Sequence, residues 1–176
     1  MLFAITTSQR LQTLKALCIN KINLKSDQCS FEIDVLLKTS QPGKHLNKVV
    51  IAAYPGNKNL CPVQHLKSYL EKTSTLRGKH TQLFVSFRKP HNPVSTDTLA
   101  RWIKTVMHKA GINTEIYGAH STRAASTSAA HRKHIDTNKI LAAAGWTNET
   151  TFSKFYNKTI VDMTKNYGED LLSAIM

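Results

Sequence analysis

The chain has 176 residues and a hydrophobic fraction of 41%, enough for one folded domain with a core and too much for a disordered segment. Lys and Arg number 24 against 11 Asp and Glu, and the net charge of +13 makes a polyanion the expected partner, because clustered cations displace counterions from phosphates. An aromatic fraction of 7% without clustering argues against a base-stacking single-strand binder, and no apolar run approaches the roughly 20 residues of a membrane span. Met1 to Ile5 is apolar but too short for a signal peptide. Ser8 is placed to cap a first helix from Gln9 to Cys18, with Leu11, Leu14 and Cys18 on one face. Phe31, Ile33, Val35 and Leu37 alternate with Glu32 and Asp34, the pattern of a half-buried strand. Pro42-Gly43 supplies a turn, and His45 to Ala52 returns as a second strand. Pro62 suits the first turn of a helix on which Val63, Leu66 and Leu70 share a face, and Gln82 to Phe87 reads as a third, short strand.

The second half is helical in pattern. Ser95 is a cap for a helix whose stripe is Leu99, Ile103, Val106 and Ala110, ended by Gly111. Ser121 to His131 is rich in Ala, Ser and Thr, so that helix is expected to pack closely on its neighbours. Asp136 or Thr137 caps another, with Ile140, Leu141 and Ala144 inward and Gly145 as its stop. Asn148 to Asn157 follows as a short helix carrying Phe152, Phe155 and Tyr156. These elements make an α+β domain, predominantly helical, with a small three-stranded antiparallel sheet. Cys18, Cys29 and Cys61 are odd in number and widely spaced, which points to reduced thiols in a cytosolic or nuclear protein and not to a disulfide framework or a zinc ribbon.

The string with most chemistry is His120-Ser121-Thr122-Arg123. A helix start already attracts anions through its free N–H groups, and a planar guanidinium placed there makes a bidentate phosphate clamp. An Arg at a helix start is more often a solvated surface residue, but Ala124, Ala125, Ser126, Ala129 and Ala130 imply a helix too tightly packed to be wholly exposed. Gly145-Trp146 and the aromatic run to Tyr156 follow; alone they read as a helix stop and a core stripe. His131-Arg132-Lys133-His134 is read as a basic face with Arg132 and Lys133 against a nucleic-acid backbone, since no third or fourth metal ligand lies nearby.

Taken in order, His120, Arg123, Trp146 and Tyr156 closely resemble the tyrosine recombinase (phage integrase) family, whose signature is an early Arg, a Lys on a β-hairpin, a His-x-x-Arg box, a His or Trp, and a nucleophilic Tyr. Arg10, after Thr6-Thr7-Ser8 and before Leu11, is similar to the family's Thr-Gly-Leu-Arg segment. Lys38 enters the turn containing Pro42-Gly43, where the family carries its hairpin Lys, with Lys44 as the alternative. The segments Lys38 to Lys44, His120 to Ser126 and Ala144 to Trp146 look most like those of DIRS- and Ngaro-type eukaryotic retroelements, which implies a nuclear enzyme. The resemblance covers residues 1–176 and implies the DNA breaking-rejoining catalytic core. The core-binding domain and the first helices that the family carries ahead of this core are expected to be missing.

The activity implied is strand cleavage and rejoining through a covalent 3′-phosphotyrosine, without metal or cofactor. Tyr156 would attack, Arg10 and Arg123 would hold the scissile phosphate, and His120 would assist removal of the phenolic proton. Lys38 would protonate the departing 5′ oxygen, and Trp146 would offer its indole N–H to the phosphate while its ring buttresses the helix of Tyr156. The partners implied are double-stranded DNA and further copies of the chain, as a tetramer on DNA, with Leu171, Leu172, Ile175 and Met176 either on a neighbour or on their own domain. Two features depart from the pattern: Phe155 stands nine residues after Trp146, where many members have the Tyr, and Thr13 replaces an acid often found three residues past the first Arg. The alternatives left open are a catalytically silent DNA-binding remnant and type IB topoisomerase-like relaxation. Tyr69, Tyr117 and Tyr167 are the rival nucleophiles.

Overall fold

The computed structural model describes residues 1–37, 40, 48–146, 149–155 and 171–174. In chain order the elements are α1 (Leu2–Thr7), α2 (Leu11–Ala16), β1 (Ile22–Leu24), β2 (Gln28–Phe31), β3 (Val49–Ala52), α3 (Pro62–Thr73), α4 (Thr96–Lys109), α5 (Ser121–Arg132), α6 (Thr137–Ala144) and α7 (Glu149–Phe155). The strands form one antiparallel sheet in the order β1-β2-β3, with Ile22 opposite Phe31 and Phe31 opposite Val49. The sheet obeys the period of two: Cys29, Phe31, Val49 and Ile51 are buried, while their neighbours Ser30, Val50 and Ala52 are half-buried or exposed. Helices α1 and α3 pack on β3, and α2 packs on α4. Phe3 of α1 meets the rings of both Phe31 and Phe84 edge-on, at centroid distances of 6.3 and 6.0 Å, which ties the first helix to the sheet.

A second, smaller core lies apart from this one. Ile140, Ala144, Trp146 and Phe152 are buried together, with Ala130 and Leu141 against them. It joins the end of α5 to α6 and α7, whereas α5 itself packs on α1.

Several sequence expectations are corrected. The helix expected from Gln9 to Cys18 is present but shorter, as α2, and a helix the sequence pattern did not announce, α1, precedes it and ends where Ser8 adopts a left-handed φ of 52°. Ser8 is therefore a C-terminal residue of α1, and Arg10 stands at the N-cap of α2. The strand expected over Phe31 to Leu37 ends at Phe31; its pairing runs the other way, to Gln28, against the unforeseen strand β1. Of His45 to Ala52, Val49–Ala52 is strand and residues 45–47 lie outside the described ones. Gln82 to Phe87 makes only isolated bridges, Cys18 to Gln82 and Val85 to Pro93, although Leu83 and Val85 point inward as the alternation requires. On α4 the buried stripe is Leu99, Ile103 and Met107, a strict i, i+4, i+8 line, and Val106 and Ala110 are exposed. Ser95 caps that helix by accepting from the Thr98 N–H at 3.1 Å, and Asp136 caps α6 through the Lys139 N–H at 3.1 Å.

Candidate nucleic-acid cleavage site

The site is built where the turn between α1 and α2 meets the start of α5. Arg123 lies in the first turn of α5 and is buried, with 4% exposure. Its Nη1 donates to the carbonyl of Ser8, and the guanidinium lies over the Trp146 ring, 4.3 Å from the centroid. Such a stack on an indole is favourable for a desolvated cation by about 2 kcal/mol. Trp146 in turn packs on Phe152 of α7 at 5.7 Å, so its ring spans from Arg123 to the helix that leads toward Tyr156. The closeness of α5 to α1 follows from the small residues seen in the sequence: Ser8 Oγ and Ser126 Oγ are 2.8 Å apart, and Thr127 and Ser126 turn their hydroxyls back to the Arg123 carbonyl.

The same turn places Arg10. It follows Ser8, whose carbonyl holds Arg123, and Gln9, whose Nε2 donates to the Ala143 carbonyl at 2.6 Å. Arg10 is half-buried. His120 is the N-cap residue of α5 and exposed, with its ring beside Gly118. The left-handed Gly145, φ 66°, closes α6 and turns the chain into Trp146. The structure thus brings Arg10, His120, Arg123 and Trp146 onto adjoining segments. Lys38, Lys44 and Tyr156 lie outside the described residues.

Arg132 and Lys133 sit at the far end of α5, about 14 Å along the helix axis from Arg123 at 1.5 Å per residue, and both are exposed. His131 is turned onto the Phe152 ring at 5.5 Å, away from any partnership with His134. Among the rival tyrosines, Tyr69 is committed to the core: its hydroxyl accepts from the Val85 N–H at 3.0 Å, and burial raises its pKa above the usual phenol value. Tyr117 is exposed and Tyr167 lies outside the described residues. Sequence reasoning missed Gln9 and Gly118, read Ser8 as a helix cap and not as a partner of Arg123, and read Ser126 as a sign of close packing only. The run of small residues on α5 was the only signal, and it pointed to close packing without naming a partner.

Residues 1–161 match the model of the phage integrase family. The chain belongs to the phage integrase family. Solved structures place its fold: a crystal structure of XerA recombinase matches with a TM-score of 0.66 and 20% identity, covering 94% of this chain and 54% of that one. The XerH site-specific recombinase bound to difH substrate, in a pre-cleavage complex, matches at 0.64 and 19%, covering 97% and 43%. A lambda integrase dimer bound to a COC′ core site matches at 0.56 and 19%, covering 92% and 51%. The integrase-family chain thus has the tyrosine recombinase catalytic fold, and it spans about half the length of the solved structures it matches. No curated protein sequence matches it. Among the described residues of this family member, no helix is long and apolar enough to cross a membrane.

Proposed function

We propose that the chain is the catalytic domain of a site-specific tyrosine recombinase that breaks and rejoins duplex DNA. The observation that carries this reading is the junction of the Ser8–Arg10 turn with Arg123 and Trp146, in a chain of the phage integrase family. Tyr156 attacks the scissile phosphorus through its phenolic oxygen; the bond from phosphorus to the 5′ oxygen breaks, leaving a 3′-phosphotyrosine and a 5′-hydroxyl. His120 takes the phenolic proton, and Lys38 or Lys44 supplies a proton to the departing oxygen. Arg10 and Arg123 neutralise the non-bridging oxygens, where charge develops in the transition state. Rejoining is the reverse, with a 5′-hydroxyl from either strand as nucleophile.

Strand exchange needs more than one copy, and the exposed Leu171 and Leu172 support association as a tetramer on DNA. A lambda integrase tetramer bound to a Holliday junction, of similar fold, supports the same reading. The resemblance of Lys38 to Lys44, His120 to Ser126 and Ala144 to Trp146 to segments of DIRS- and Ngaro-type elements is what supports a retroelement origin and action in the nucleus.

Covalent trapping on a nicked suicide DNA substrate tests the proposal. A denaturing gel is expected to show an adduct for the wild-type chain and none for Tyr156→Phe. An adduct that survives in Tyr156→Phe moves the nucleophile to Tyr117 or Tyr167. A wild-type chain that is folded and bound to DNA, yet forms no adduct, is a silent DNA-binding module.

A further inference from the structure

The Gln9 side chain joins two parts of the molecule that have separate cores. Its Nε2 donates to the Ala143 carbonyl at 2.6 Å across 134 residues of sequence. That carbonyl belongs to the last turn of α6, where helix geometry leaves the oxygens without an onward partner. The neighbouring ones are taken within the turn itself: Gly145 N–H bonds Ala142 at 3.1 Å, and Trp146 N–H bonds Leu141 at 2.9 Å. The Ala143 oxygen reaches out, to the Gln9 amide of the α1–α2 turn. Gly145 lies beside the Gln9 amide, and its left-handed φ of 66° is what favours glycine there.

Consequences run in both directions along the chain. One residue after Gln9 is Arg10, and one before it is Ser8, whose carbonyl accepts from Arg123. Three residues after Ala143 is Trp146, whose ring covers the guanidinium of Arg123. The Gln9 to Ala143 hydrogen bond thereby closes a loop that runs through Ser8–Gln9, Arg123, Trp146 and α6. Ser8 Oγ to Ser126 Oγ secures α5 to the turn, but nothing in that contact fixes the end of α6.

We propose that Gln9 is a positioning residue: its amide latches the end of α6 to the α1–α2 turn and thereby sets Trp146 on Arg123. The latch deepens the recombinase reading but is testable without it. In a Trp102→Phe background the emission of the full chain reports Trp146 alone, since the sequence has two tryptophans. Gln9→Leu removes the donor at similar bulk. It is expected to leave far-UV circular dichroism and DNA affinity in place, shift Trp146 emission to longer wavelength and raise its quenching by acrylamide. Gln9→Lys retains a donor, now a cation at the negative end of the α6 dipole, and is expected to restore the wild-type emission. The rate of covalent adduct formation should follow the emission, falling by about tenfold to a hundredfold in Gln9→Leu at unchanged DNA affinity.

Identical Trp146 emission and quenching in wild type and folded Gln9→Leu would overturn the latch, as would an equal change in Gln9→Leu and Gln9→Lys. Should Gln9→Leu fail to fold, Gln9→Glu, which keeps the length and loses the donor, takes its place with the same criteria. If the wild-type chain forms no adduct, the recombinase reading fails while the emission result still decides the latch.

Discussion

Gly118 and His120 show how little space the position of a proposed proton-transfer group can depend on. Gly118 is not among the residues with positive φ, so its backbone does not require glycine. Its lack of a side chain matters for another reason: a Cβ would stand 3.2 Å from Nδ1 and Cε1 of the His120 ring. His120 is exposed and can swing away, so Gly118→Ala is expected to change stability by less than about 0.5 kcal/mol. The displaced imidazole should slow adduct formation several-fold, short of the ~10²-fold or more that loss of a proton-transfer group costs. Single-turnover trapping of Gly118→Ala beside His120→Ala measures both, and a wild-type rate in Gly118→Ala would show that the ring position carries no weight. Arg77 is the contrasting case, a buried arginine with 5% exposure whose work is structural. Its guanidinium donates to the carbonyls of Gln82 and Leu83 and to Thr73 Oγ1, stapling the end of α3 to the Leu83 segment. Arg77→Met keeps the bulk and leaves two main-chain carbonyls without these donors. We expect a loss of about 2–4 kcal/mol, read as a lower urea midpoint at unchanged slope.

At the scale of elements, the small core of Ile140, Ala144, Trp146 and Phe152 depends on how α6 begins and ends. Asp136 accepts from the Lys139 N–H at the start, and its loss in Asp136→Ala should cost about 1 kcal/mol. Because α6 carries Trp146 at its exit, that cost should appear first as faster amide exchange in α6 and α7, ahead of the sheet; uniform loss of protection would mean that the two cores unfold as one. The legibility of these elements in the sequence follows from where their determinants lie. Pro62, Ser95, Asp136 and Gly145 act within a few residues, so α3, α4 and α6 were readable from local pattern. The break at Ser8 was not, because its left-handed backbone carries no Gly or Pro signal and its hydroxyl partner, Ser126, is 118 residues away. Likewise β1 has only three residues, too few to show alternation, and its partner strand was read in the wrong direction. The site divides in the same way. The order of Arg10, His120, Arg123 and Trp146 was legible as chemistry, whereas the bonds that hold them use main-chain carbonyls of Ser8 and Ala143, which carbonyls of any residue type supply.

For the whole molecule, the question is what a net charge of +13 does. Among the described residues the ion pairs are Lys21 with Asp34 at 3.5 Å and Lys48 with Glu32 at 2.7 Å, both on the surface and worth little to stability. Exposed cations such as Arg132 and Lys133 can meet phosphates, and such binding is driven by counterion release. With roughly five phosphate contacts, log K should fall with log salt at a slope near −4.5, about 500-fold weaker binding at 200 mM than at 50 mM. Arg132 and Lys133 place a specific share of this at the end of α5, away from Arg123. Replacing both with alanine removes two contacts and should flatten the slope by about 1.8, lowering affinity on all sequences alike. Folding should be nearly unaffected, since both side chains are solvated and contribute only weakly to the α5 dipole. Fluorescence anisotropy with a labelled duplex across that salt range gives the slope directly. A double variant with the wild-type slope would mean that DNA does not reach the end of α5, confining the contact surface to the face that carries Arg10, His120 and Arg123.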